Sequence, residues 1–109
     1  MTSLAELGLT AQGGREAQIT GLAVDSREVK PGFLFAALPG ARVHGGEFIQ
    51  YALRMKAAAI LTDTEGAAIA SAELAASDAA LIIAQDPRQA LAQTASLWSG
   101  PHPAPRTGP

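Results

Sequence analysis

Cysteine is absent from the 109 residues, which excludes disulfides and thiolate metal sites and suits a reducing compartment. Lysine is scarce too. Only Lys30 and Lys56 occur, and neither follows a glycine-rich turn into a helix. The phosphate-cradling pattern G-x-x-x-x-G-K-[ST] is therefore missing, and with it the usual means of holding a nucleoside triphosphate and transferring its γ-phosphoryl group. There is no basic run, and 8 basic against 10 acidic residues leave a formal charge of −2, so nothing marks a nucleic-acid face. The two histidines, His44 and His102, have no acidic or histidine companions at metal-ligand spacing. No serine sits in the glycine-flanked elbow of a hydrolase nucleophile. The start, Met1 to Glu6, lacks the basic and apolar regions of a signal peptide. No apolar run approaches the roughly 20 residues that span a bilayer. A soluble, cytoplasmic, monomeric protein is expected, with neither nucleic-acid nor membrane partners.

Hydrophobic residues make up 48% of the chain, enough for one core at this length but not for two. Residues 1–99 read as one domain. Gly100 to Pro109, rich in proline and without periodicity, reads as a linker or a truncated tail. The spacing of Ser3 and Glu6 fits a capping box and predicts a short helix near residues 3–8, broken at Gly13-Gly14. A strand is expected from Ile19 to Asp25 and, past a type II turn at Pro31-Gly32, another from Phe33 to Leu38, apolar throughout and so covered on both faces. Pro39-Gly40 ends it, and the loop 41–46 offers little that packs.

A helix is expected from Glu47, with Phe48, Ala52 and Met55 at helical spacing and Ile49 and Leu53 beside them. Then follow a strand at 58–62, an alanine-rich helix at 67–76 and a strand at 79–84. Asp86-Pro87 supplies an N-cap and a proline at the first helical position, and Leu91, Thr94, Ala95 and Trp98 share one face of the helix that follows. Alternating strands and helices indicate an α/β domain: a small mixed, partly parallel sheet with flanking helices. The pattern leaves the relative direction of the first two strands open.

Two stretches carry candidate chemistry. Asp25-Ser26-Arg27 places an acceptor, a hydroxyl and a cation at a strand's end, where α/β sheets commonly bind ligands. The loop Gly40 to Gly46 combines glycine backbone with Arg42 and His44, and arginine forks readily onto phosphate oxygens. Taken by themselves, these residues read more simply as an ordinary strand-ending turn and a flexible surface loop, with His44 solvated.

Together, however, they form the pattern D-S-R-x-V-x-P-G-x-L-F-x-A-L-x-G from Asp25 to Gly40, followed by G-x-x-F-I-x-x-A-L from Gly45 to Leu53. This resembles the N-terminal domain of the Mur ligases of peptidoglycan synthesis, most of all the branch that adds the third amino acid to UDP-MurNAc-L-Ala-D-Glu. The resemblance implies a domain that binds the UDP part of that substrate, with a central ATPase and a C-terminal domain in cis in a full-length ligase. ATP and Mg2+ would act in the ATPase, no cofactor is implied in this chain, and the domain is expected to be inactive alone. Substrate contacts are implied at Val24 and Ser26 and at the loop residues Ala41, Arg42 and Val43, with Arg27 serving structure or phosphate. Two positions depart from the family pattern: His44-Gly45 stands where Asp-Gly is usual, and Lys56-Ala57 where Gly-Ala is usual. The branch that adds D-Ala-D-Ala shares the same features and is the alternative. A non-catalytic stand-alone module is a third.

Overall fold

The computed structural model describes residues 2–98. The tail read as a linker, Gly100 to Pro109, lies outside the described residues, as does the boundary at residue 99. Among the described residues six strands and four α-helices follow one another: β1 (Thr2–Ser3), β2 (Gln18–Ile19), β3 (Gly21–Ala23), β4 (Phe33–Ala36), α1 (Ile49–Arg54), β5 (Ala59–Thr62), α2 (Thr64–Ile69), α3 (Ser71–Ala75), β6 (Ala80–Ile83) and α4 (Pro87–Leu97). Strands β3-β4-β5-β6 form a parallel sheet in chain order, and β1 and β2 form a separate antiparallel ribbon. The first two expected strands, whose direction the pattern left open, run parallel, with Leu22 opposite Leu34 and Ala23 opposite Phe35. Antiparallel pairing is confined to the ribbon, where Thr2 faces Ile19.

Both faces of the sheet are covered, and the strand period divides them. Leu34, Ala36, Ala59, Leu61 and Ile82 point to one side, where the N-terminal Leu4 and Leu7 and the C-terminal Trp98 close the core. Phe35 and Ile60 point to the other and pack under Ile49 and Ala52 of α1 and Ala70. The Pro31-Gly32 turn forms as its sequence requires. Gly32 takes φ +89°, and the Phe33 N–H closes the turn on the Lys30 carbonyl at 3.0 Å. Asp86 caps α4 by accepting from the Gln89 N–H at 3.1 Å, with Pro87 at the helix start.

Several expectations need correction. The helix near residues 3–8 is a single 3-10 turn, Ala5–Leu7, although Ser3 and Glu6 do bond reciprocally: Ser3 N–H donates to Glu6 Oε1 at 2.9 Å and Glu6 N–H to Ser3 Oγ at 3.2 Å. Gly8 then turns left-handed and stops the turn. The strand expected from Ile19 to Asp25 breaks at Thr20 and ends at Ala23, leaving Val24 51% exposed. The alanine-rich helix is two helices that meet at Ala70. The helix expected from Glu47 begins as a 3-10 turn, Gly45–Phe48, and only then becomes α1. That change of pitch rotates the buried face onto Ile49 and Ala52, so Phe48 and Met55 are exposed instead of core.

Candidate functional site

Past the carboxyl ends of β3 and β4 the chain leaves the sheet, and the two departing segments separate to form a cleft of about 1010 Å³. One side is the turn Val24 to Arg27. The other is built from Val43, Gly45, Phe48, the outward face of α1 at Tyr51 and Arg54, and Met55 just past the helix, while Phe35 of β4 and Leu38 complete the lining. The position follows from topology, since side chains and free backbone groups accumulate where parallel strands end.

The polar turn is ordered by its own side chains. Asp25 accepts the Arg27 N–H at 2.9 Å and caps the 3-10 turn Ser26–Glu28. The Arg27 guanidinium closes back on the same carboxylate, with Nη2 2.7 Å from Oδ2. This arginine fork, assisted by the Arg27 backbone N–H, holds the Asp25 carboxyl well below its ordinary range, at about 2. Ser26, between them, is partly exposed and lines the cleft.

The opposite wall is apolar and open. Val43, Phe48, Tyr51 and Met55 are each between 38% and 49% exposed, and with Val24 on the turn side, 51% exposed, all border the one cleft. Phe48 and Tyr51 lie 6.4 Å apart between ring centroids, tilted by 33°, and the Arg54 guanidinium stands over the Tyr51 ring at 5.6 Å. Apolar surface concentrated in this way, rimmed by polar groups, marks a place that something else covers.

Of the residues singled out in the sequence, Val24, Ser26, Arg27 and Val43 come together on this cleft. Ala41 and Arg42 do not line it and are exposed on the loop. The apolar wall beside α1 was not singled out, because Phe48 and Met55 fit a core-facing helix and Tyr51 falls at an unspecified position of the motif Gly45 to Leu53. His44, expected to be solvated, is buried. Its Nδ1 accepts the Gly46 N–H at 2.7 Å, and its Nε2 bonds to Asp63 Oδ1 at 2.8 Å. The same Asp63 oxygen accepts the Gly66 N–H at 2.8 Å and caps α2. Burial acts to raise the Asp63 carboxyl, but the Gly66 N–H and then His44 outweigh it and leave it below its ordinary value. Among the described residues, no three acidic or histidine side chains come together as a metal centre. No helix among them is long and apolar enough to cross a membrane.

The family model described as "Mur ligase family, catalytic domain" matches residues 18–99. The chain belongs to the Mur ligase family. Among curated relatives of this Mur ligase chain, the UDP-N-acetylmuramoyl-L-alanyl-D-glutamate--2,6-diaminopimelate ligase of Streptomyces coelicolor is 45% identical over 98 residues, covering 90% of the chain and 18% of the relative. The protein of the same name in Streptomyces avermitilis is 44% identical over 89 residues, 82% of the chain and 17% of the relative. The Mur ligase chain thus spans less than a fifth of the length of these relatives. Among solved structures, MurF from Acinetobacter baumannii superposes with a TM-score of 0.63 at 18% identity, over 86% of this chain and 19% of that one. At that identity the likeness shows the fold.

Proposed function

We propose that this Mur ligase chain anchors the UDP moiety of UDP-MurNAc-L-Ala-D-Glu as the N-terminal domain of an ATP-dependent ligase of peptidoglycan-precursor synthesis. The observation that carries this reading is the cleft itself. A polar turn with a serine hydroxyl faces an aromatic and aliphatic wall at the carboxyl ends of two parallel strands. Such a site suits a ligand with a flat heterocycle to lie against the wall and polar groups to meet the turn. Ser26 and the backbone of the turn would meet polar groups of the nucleotide, and Val24, Val43 and the wall of α1 would cover its apolar surface. Ala41 and Arg42, exposed beside the cleft, would reach only a part of the ligand that extends beyond it.

This anchoring works at a distance from any reaction. Holding the nucleotide fixes where the far end of the substrate lies, and binding energy from a remote group can align a reacting carboxylate elsewhere. The chain has no phosphate loop of its own. ATP and Mg2+ are accordingly assigned to the central domain of the full-length ligase, with the incoming amino acid selected there or beyond, and the chain by itself is inactive. A cytoplasmic location goes with this reading.

The relatives at 44–45% identity favour the ligase that adds the third amino acid. The D-Ala-D-Ala-adding branch is the second reading, kept because the structural neighbour MurF has the same fold. An NMR titration of the 109-residue chain with UDP-MurNAc-L-Ala-D-Glu, using ATP as control, tests the proposal. Amide shifts centred on Val24 to Arg27 and Val43 to Phe48, with ATP silent, are the expected result. Equal responses to both ligands, or none to the UDP-sugar at millimolar concentration, would count against it.

A further inference from the structure

We propose that His44 is a positioning residue for the cleft: clasped to Asp63, it holds the loop after β4 in the shape that presents Val43, Gly45 and Phe48 to a ligand. The inference rests on the reading of the cleft as a nucleotide site. His44 itself does not line the cleft, whereas Val43 and Gly45 on either side of it and Phe48 four residues later all do. Its ring turns inward instead, and the two bonds it makes fix its state. Nδ1 accepts from the Gly46 N–H, so the proton is on Nε2, which donates to Asp63 Oδ1. One carboxylate oxygen therefore ties the loop to the first turn of α2 across 19 residues of sequence.

The slot that receives the imidazole depends on two glycines. A Cβ on Gly46 would stand 2.7 Å from Gly66 Cα, and one on Gly66 would stand 1.9 Å from Thr62 Oγ1 and 2.8 Å from His44 Cε1. Backbone approach this close serves no purpose for a solvated loop. It brings the 3-10 turn Gly45–Phe48 against α2, and the Gly45 N–H completes the attachment by donating to the Leu38 carbonyl at 2.7 Å. Freed of the clasp, the loop would have to be ordered at the moment of binding, and that entropy would be taken from affinity.

The experiment compares the wild type with four variant proteins, using UDP as the probe. His44→Asn keeps a short acceptor for the Gly46 N–H and is too short to reach Asp63. Asp63→Ser keeps a cap for α2 and is too short to reach His44. The third protein is the double variant, and the fourth is Thr94→Val on α4, which removes the buried Thr94 hydroxyl's bond to the Ala90 carbonyl and lowers stability away from the cleft. UDP affinity is measured by amide shift titration at a temperature where the wild type and all four variants are folded. Each clasp variant is expected to bind about five- to tenfold more weakly, the double variant no more weakly than either single one, and Thr94→Val as the wild type does. Wild-type affinity in the clasp variants, or losses that multiply in the double variant, would overturn the positioning role alone. A wild-type chain that ignores UDP would overturn the nucleotide reading and this inference with it.

Discussion

Arg27 forks onto the carboxylate of Asp25 two residues before it, Nη2 standing 2.7 Å from Oδ2 and Nε 3.1 Å from Oδ1. The fork makes the turn at the end of β3 self-contained, because the cation that the motif offers to a ligand is already engaged. The pair lies on the surface, with the arginine side chain 87% exposed, so its role is to set local geometry more than to stabilise the fold.

The pair sets a testable acid range. The Asp25 carboxyl, at about 2 instead of the ordinary 3.8, is depressed in the folded state. Its contribution to folding is therefore present above the unfolded value and is lost as pH falls through the folded one. Arg27→Gln should return the carboxyl towards 3.8, followed by carboxyl-carbon NMR across acid pH. An Asp25 resonance that titrates alike in both proteins would contradict the fork.

Ser26 supplies the second test. Its backbone carbonyl accepts the Val29 N–H at 3.4 Å, and its hydroxyl has no partner among the described residues. Ser26→Ala should leave thermal stability nearly unchanged and weaken binding of UDP-MurNAc-L-Ala-D-Glu by about three- to tenfold, the range of one hydrogen bond. Unchanged affinity in the folded variant would remove Ser26 from the site.

The sequence made some of this visible and hid the rest for physical reasons. Turns held by adjacent residues were legible, since Pro31-Gly32 and Asp86-Pro87 act through their own backbone preferences. So was the covering of β4 on both faces, since its unbroken apolar run packs Leu34 to one side of the sheet and Phe35 to the other. The burial of His44 was not, because its partner Asp63 is brought to it only by the fold. Nor was the buried face of α1. Apolar residues occupy two of its sides, Ile49 and Ala52 on one, Phe48, Tyr51 and Met55 on the other, and periodicity over a six-residue helix cannot choose between them. The side that lost the core became the wall of the cleft.

That wall can be probed without disturbing the fold. Tyr51 is 46% exposed and carries the Arg54 guanidinium over its ring. Tyr51→Ser should shift the melting temperature little and lower UDP affinity about fivefold or more, since stacking on an aromatic side chain contributes roughly 1–3 kcal/mol per base. Inorganic pyrophosphate, which has no ring to stack, should bind the variant as it binds the wild type. Equal losses for both ligands would place the heterocycle elsewhere.

Lys56 provides a test of the fold itself. It is the one non-glycine residue with positive φ, at 70°, among the described residues. The hydrogen bonds explain why. The Lys56 N–H donates to the Leu53 carbonyl at 3.0 Å and the Ala57 N–H to the Ala52 carbonyl at 3.1 Å, the paired closure of a Schellman motif, which needs a left-handed residue just past the helix end. A side chain in that conformation costs about 1–2 kcal/mol, partly offset because glycine loses more freedom on folding. Lys56→Gly should therefore stabilise the chain by about 0.5–1 kcal/mol, read as a melting temperature raised by about 2–6 °C. Lys56→Ala separates this from loss of the charge, for alanine bears the same backbone cost and should melt close to the wild type. If alanine stabilised as much as glycine, the lysine charge and not its backbone would be the source of the strain.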